Sequence, residues 1–260
     1  YNALNFSAYY NSPQNFTVRC MQINTFLCPS DGSGASASLT VGTLTGTPGS
    51  TNYPNSIGTF ASESGSNPGT LDGPAHYAGA NAPISSVVTI ASIVDGTSNT
   101  MIFSEYVRTR GAGTPGDGTF QIYMDMTDSA KVTPPGTKAA GLASIALNCQ
   151  TSTGISQPTQ PLSAASDSLK GIDWLFQHCG CGGGFSAVQT PNKKACYFSG
   201  SNTKGHPTST IIGASSSHAG GVNVGMLDGS VRFVKDSVAA ATWWALATRA
   251  GGEIISADSL

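Results

Sequence analysis

Val222-Asn223-Val224-Gly225-Met226-Leu227-Asp228-Gly229-Ser230-Val231-Arg232-Phe233-Val234 holds two alternating apolar runs on either side of one Asp-Gly pair. Val222, Val224 and Met226 fall on one face of an extended chain, because side chains in a strand alternate with period two. Ser230 to Val234 returns on the far side of the turn. Two such runs joined by Asp-Gly predict a β-hairpin, with both turn positions expected at positive φ. A helix from about Ser237 to Ala247 follows, capped by Asp236 or Ser237 and carrying Val238, Trp243, Trp244 and Leu246. Gly251-Gly252 ends it, and Glu253-Ile254-Ile255-Ser256 reads as a last short strand.

Upstream, Met101 to Val107 reads as a buried strand after the turn Asp95-Gly96-Thr97-Ser98-Asn99-Thr100. The preceding arm, Val87 to Val94, is a strand or a short helix, which periodicity does not separate in short apolar runs. Ile23, Thr25 and Leu27 suggest a strand halted by Pro29, with Asp31-Gly32 turning the chain. Thr119 to Met126 is a candidate strand and Leu142 to Leu147 a candidate helical turn. Residues 33–73 form a loop-rich excursion poor in large apolar residues, and residues 171–206 a cysteine-bearing insert. The expected fold is α+β, mainly β, in one domain over residues 1–260.

Only 10% of the 260 residues are charged, against roughly 25% in soluble domains. The net charge is −2, and no basic cluster exceeds Lys193-Lys194. Nucleic-acid and anionic-membrane binding are excluded, since both need several cations on one face. The composition also excludes a coiled coil, and no run reaches the ~18 apolar residues of a membrane span. Ile84 to Val94 comes closest and is interrupted by Ser85, Ser86, Thr89 and Ser92. Tyr1-Asn2-Ala3-Leu4 reads as the interior of a longer chain.

Six cysteines (Cys20, Cys28, Cys149, Cys179, Cys181 and Cys196) form an even set. In an uncharged, Ser/Thr-rich chain they suggest an oxidising compartment and up to three disulfides, with the pairing open and free thiols as the next reading. Zinc at His178-Cys179-Gly180-Cys181 with Cys196 and His206 is the weaker reading, because structural zinc sites use Cys-x-x-Cys knuckles. Asn5-Phe6-Ser7 and Asn15-Phe16-Thr17 match the glycosylation sequon.

Candidate chemistry is sparse. Ser217-His218 with Asp228 supplies triad residue types, but adjacent residues rarely have triad geometry and no Gly-x-Ser-x-Gly elbow occurs. His218 and Asp228 could form a metal pair. Loop fastening by His218 and turn chemistry at Asp228 account for them better. Calcium is the candidate ion, at Asp95 with Glu105 or at Glu253 with Asp258, since it takes six to eight oxygens. Cys181-Gly182-Gly183-Gly184-Phe185 lacks the Lys of a phosphate loop. Trp243 or Trp244 could stack on a sugar.

Seven segments occur in a set order: Tyr1 to Ser7, Thr25-Phe26-Leu27-Cys28-Pro29-Ser30-Asp31, His76 to Ala80, Asp95 to Thr100 with Glu105, Ser217-His218-Ala219-Gly220-Gly221-Val222-Asn223, Asp228 to Phe233, and Ala247 to Glu253. Together they resemble the prepilin-like (type IV pilin or pseudopilin-like) proteins of unknown function expanded in planctomycete-type bacteria. That family carries a C-terminal His-(nine residues)-Asp-Gly signature, here His218, Asp228 and Gly229. Asp95, Gly96, Asn99 and Glu105 complete the structural signature. The resemblance implies a pilin-like antiparallel sheet with long loops, whose N-terminal pilin helix is absent from this chain. It further implies export by a type II secretion or pilus-like route and an unassigned biochemical role; the reading adopted for the chain is a structural subunit without catalysis. The partners would be copies of the chain or other pilin-like subunits, at the cell surface or outside it. An extracellular carbohydrate- or calcium-binding module is the alternative.

Overall fold

The computed structural model describes residues 3–32, 38–59, 72–75, 88–109, 124–126, 138–151, 170–176, 182–198 and 210–256. Its strands in chain order are β1 Leu39–Val41, β2 Leu44–Gly46, β3 Asn55–Ser56, β4 Met101–Ser104, β5 Met124–Met126, β6 Gly184–Phe185, β7 Cys196–Phe198, β8 Thr210–Ile211, β9 Gly221–Met226 and β10 Val231–Lys235. The α-helices are α1 Pro13–Arg19, α2 Lys138–Thr151 and α3 Ala240–Ala247. The fold is mixed α+β. A five-stranded sheet runs β10-β9-β4-β3-β6, a three-stranded sheet β5-β7-β8, and β1 and β2 form a separate hairpin. The expected all-antiparallel arrangement is corrected in two places, because β3–β6 and β5–β7 pair in parallel.

The β9–β10 hairpin forms in the expected register, with Val222 opposite Val234 and Gly225 opposite Val231. Its turn differs from expectation. Gly229 alone in the turn has positive φ, at 86°, and the Gly229 N–H donates to Met226 O while the Met226 N–H donates to Ser230 O. This is the three-residue loop in which a type I turn precedes one left-handed residue. Asp228 needs no positive φ in that geometry. Its carboxylate accepts from the Ser230 N–H at 2.9 Å and the Ser230 hydroxyl at 2.6 Å, which holds its pKa below the usual carboxylate value.

Alternation decides the two sheet faces. Val222, Val224 and Met226 point inward with Met101 and Val234, and α3 covers them with Trp243, Leu246 and Ala247. Trp243 is fully buried; removing such side chains from water supplies most of the drive for this packing, about 1.5–3 kcal/mol each. The expected cap at Asp236 or Ser237 is not used, because the chain makes one more turn first. The Asp236 N–H donates to Gly220 O and the Val238 N–H to Lys235 O, and α3 begins only at Ala240.

Several local expectations are corrected. Ile23 to Leu27 contains a 3₁₀ turn at Asn24–Phe26 instead of a strand, whereas of the two readings of Val87 to Val94 the short helix is the one found, as a 3₁₀ turn at Ile90–Ser92. The excursion at 33–73 contains β1, β2 and β3. Glu253 to Ser256 is irregular and not the expected strand. The helical turn at Leu142 to Leu147 extends to the fourteen residues of α2. Of the Thr119 to Met126 strand, 124–126 is strand and the rest lies outside the described residues.

The disulfide expectation holds for one pair and not for Cys20 and Cys28. Cys149 on α2 is bonded to Cys196 on β7, inside a second apolar cluster with Leu142, Ile145, Val188 and Ile211. Cys20 and Cys28 are free thiols with separate surroundings. Cys179 and Cys181, with His178 and His206, lie outside the described residues. Burial pushes the Cys20 thiol pKa up, with the Asp173 charge adding to it. Asn15 is buried, its amide donating to the carbonyls of Asn5, Ala8 and Tyr9, so in the folded chain its sequon nitrogen is enclosed.

Candidate functional site

Three segments far apart in sequence meet beyond the end of β4. The first carries Cys28, whose N–H donates to the Asn52 side-chain oxygen at 2.9 Å. The Asn52 amide in turn donates to Asp31 Oδ2 at 2.6 Å and to Tyr106 O at 2.9 Å. Asp31 also accepts from the Arg108 N–H at 2.9 Å. These buried groups satisfy one another, as buried polar atoms must, and they pin residues 28–31 to the chain leaving β4.

The second segment carries Glu105, one residue past β4 and 4% exposed. Its Oε2 accepts from the Asn223 N–H at 2.8 Å and its Oε1 from the Asn223 amide at 3.1 Å. Pairing of Ser104 with Val224 puts Asn223 within reach. The third segment carries His218. Its N–H donates to Ser216 Oγ at 3.0 Å, Ser216 Oγ donates to Gly221 O, and the Ser215 N–H donates to Glu105 O. His218 Nε2 lies 3.2 Å from Glu105 Oε1 and 3.7 Å from Cys28 Sγ. The three donor atoms all lie within 4.8 Å of one another. The Tyr53 hydroxyl bonds the Cys28 sulfur, and its pKa is pushed up to about 12 by burial, then by the negative fields of Cys28 and Glu105.

This is not the arrangement of a thiol protease. A nucleophile–base–acid relay uses both imidazole nitrogens, one for the nucleophile and the other for the orienting acid. Here Cys28 and Glu105 both face Nε2. The donors are one sulfur, one nitrogen and one oxygen, which suits a borderline transition ion better than calcium, a cation that prefers oxygen alone.

The other candidate residues have structural partners. Asp95 accepts from the N–H groups of Gly251 and Gly252 at 2.7 and 2.8 Å, so it clasps the loop after α3. Gly96 has φ 92°, and the Asn99 amide closes the same turn on Asp95 O. Asp95 and Glu105 thus serve different partners. Glu253 accepts from Thr248 Oγ1, and Asp258 lies outside the described residues. His218 and Asp228 stand off opposite ends of β9, whose six residues span roughly 17 Å at ~3.3 Å each. The metal pair and the triad built on them are therefore not formed. Trp243 is core, and Trp244 Nε1–H donates to Val188 O.

Beside the site, the sheet face opposite α3 opens into a cleft of about 740 Å³. Phe26, Tyr53, Phe103, Trp174 and Phe176 line it with Asn55 and Asn223, and no charged side chain does among the described residues. Sequence reasoning missed both Trp174 and the role of Cys28. Cys28 and Glu105 were visible as members of ordered motifs, but nothing local joins residues 113 and 190 positions from His218.

Comparison with curated proteins returns no match, and neither does comparison with solved structures. A family model, described as a protein of unknown function (DUF1559), matches residues 1–241. With that match spanning most of its length, the chain belongs to the DUF1559 family.

Proposed function

We propose that this chain is the globular part of a secreted, pilin-like structural subunit that works by packing against copies of itself, without catalysis. The observation that supports this reading is the open apolar face of the five-stranded sheet. Phe103 and Val231 flank Gly225 in register, and Phe233 sits beside them on the edge strand β10; the three are 44%, 70% and 46% exposed. Edge strands with exposed apolar side chains are templates for association. Low charge adds little repulsion between copies. Export by a type II secretion or pilus-like route, and a place at the cell surface, belong to the same reading. Negative-stain electron microscopy and sedimentation velocity test it. Ordered assemblies that disappear in Val231→Lys/Phe233→Lys support it; isolated particles at every concentration overturn it.

The cleft favours a second reading, a carbohydrate-binding module. Aromatic faces beside uncharged amides and hydroxyls suit a neutral sugar, stacked and hydrogen-bonded. Trp174, not Trp243, is the stacking residue in this reading. Glycan binding by a monodisperse monomer, lost in Trp174→Ala, would select it.

A further inference from the structure

We infer that Cys28, Glu105 and His218 form a binding site for a borderline divalent transition ion, zinc foremost. A tetrahedral zinc with bonds of about 2.3 Å to sulfur and about 2.0–2.1 Å to nitrogen and oxygen has S···N edges near 3.6 Å and N···O edges near 3.3 Å. Two of the three separations here match, 3.7 Å between Cys28 Sγ and His218 Nε2 and 3.2 Å between that nitrogen and Glu105 Oε1; the third, from the sulfur to the carboxylate, is within 4.8 Å and closes as the ion binds. A thiolate and a carboxylate with a neutral imidazole bring two negative charges to a dication. The donors are also held in place. Asn223 fixes the carboxylate through two N–H donors, Asn52 holds the Cys28 backbone, and Ser216 holds the His218 backbone. Such supporting bonds orient metal ligands and keep the cost of ordering them low.

Ligand softness separates this site from the calcium sites expected at Asp95 and Glu253. Calcium takes six to eight oxygens, whereas sulfur and imidazole select zinc or copper. Three protein donors leave a tetrahedral ion one open position, as in zinc sites that hold water. The inference does not depend on self-assembly and stands or falls separately from it.

Equilibrium dialysis of the full 260-residue chain against Zn²⁺, after exhaustive chelation, is the test. The expected result is one tightly held ion per chain. Affinity should fall by more than the roughly 10–100-fold carried by supporting residues in Cys28→Ser and in His218→Gln, and by about that range in Asn223→Ala. It should be unchanged in Cys20→Ser/Cys179→Ser/Cys181→Ser. In that triple variant Cys28 is the one thiol outside the Cys149–Cys196 disulfide, so Co²⁺ bound there must show thiolate-to-cobalt charge transfer. This readout holds even if the Cys28 or His218 variants fail to fold. No uptake by the wild-type chain, uptake abolished in the triple variant, or a cobalt spectrum without thiolate overturns the site.

Discussion

Replacing Arg19 by Met should cost the fold about 3–5 kcal/mol, the range for removing one partner of a buried ion pair. Arg19 and Asp173 are each 2% exposed, and the guanidinium gives Asp173 Oδ2 two contacts, at 2.6 and 2.5 Å. Its third nitrogen donates to Asn11 at 2.8 Å, and its plane lies over Tyr10 and Phe176. The pair joins α1 to residues 170–176, 154 positions apart. Methionine keeps most of the stem packing and removes the charge, so the loss reports mainly on the stranded carboxylate. Burial already pushes the Asp173 pKa above its ordinary 3.8, against the pull of Arg19 and of the Leu175 and Phe176 N–H groups. Without Arg19 it rises further. An acid whose folded pKa is raised binds a proton in the folded state before the unfolded chain does. Stability therefore grows as pH falls through the folded value toward 3.8, by up to about 1.4 kcal/mol per pH unit. The deficit of Arg19→Met should be largest at neutral pH and shrink on acidification. Urea unfolding at pH 7 and pH 5, with Arg19→Met/Asp173→Asn alongside, measures both effects, and the double variant should recover most of the loss. A deficit under about 1 kcal/mol, one independent of pH, or a double variant no better than the single would refute the reasoning.

Other changes separate the parts of the molecule. Reducing the Cys149–Cys196 bond, which spans 47 positions, should lower stability by about 4 kcal/mol in the chain-entropy account, read as a fall in the urea midpoint with dithiothreitol. A Cβ at Gly221 would lie 2.2 Å from Val234 O and 2.8 Å from the Phe233 ring. Gly221→Ala should therefore cost at least about 1–3 kcal/mol by thermal melting, as overpacking does. Trp243→Ala should cost about 3–5 kcal/mol from the core. Trp174→Ala should lose about 1 kcal/mol with its bond to Met21 O, and equal losses in the two variants would contradict their placement.

The hairpin and its covering helix were legible because their information is local. Period-two alternation around Asp228-Gly229 states which side chains share a face, and Trp243 and Leu246 follow at helical spacing. The turn type was less so, since Asp-Gly fits two loop lengths and register decides between them. Short polar strands were harder still. Asn55–Ser56 has no apolar pattern and becomes a strand because β4 and β6 lie on either side of it. The same holds for the Ile23 to Leu27 segment, where alternation over five residues gave way to a 3₁₀ turn beneath Asn52.

The amino-acid sequence alone determined the low charge, the mixed α+β class and the central hairpin. Each rests on composition or on neighbours within a few residues. Only the tertiary structure decided that Cys28 is a free thiol facing His218 and Glu105, that Asp95 clasps Gly251 and Gly252, and that Trp243 is core while Trp174 lines the cleft. Those outcomes depend on contacts such as Cys28 with His218, 190 positions apart, and Asp95 with Gly251, 156 apart, and such contacts follow from how sheets and loops pack together, which no local pattern encodes.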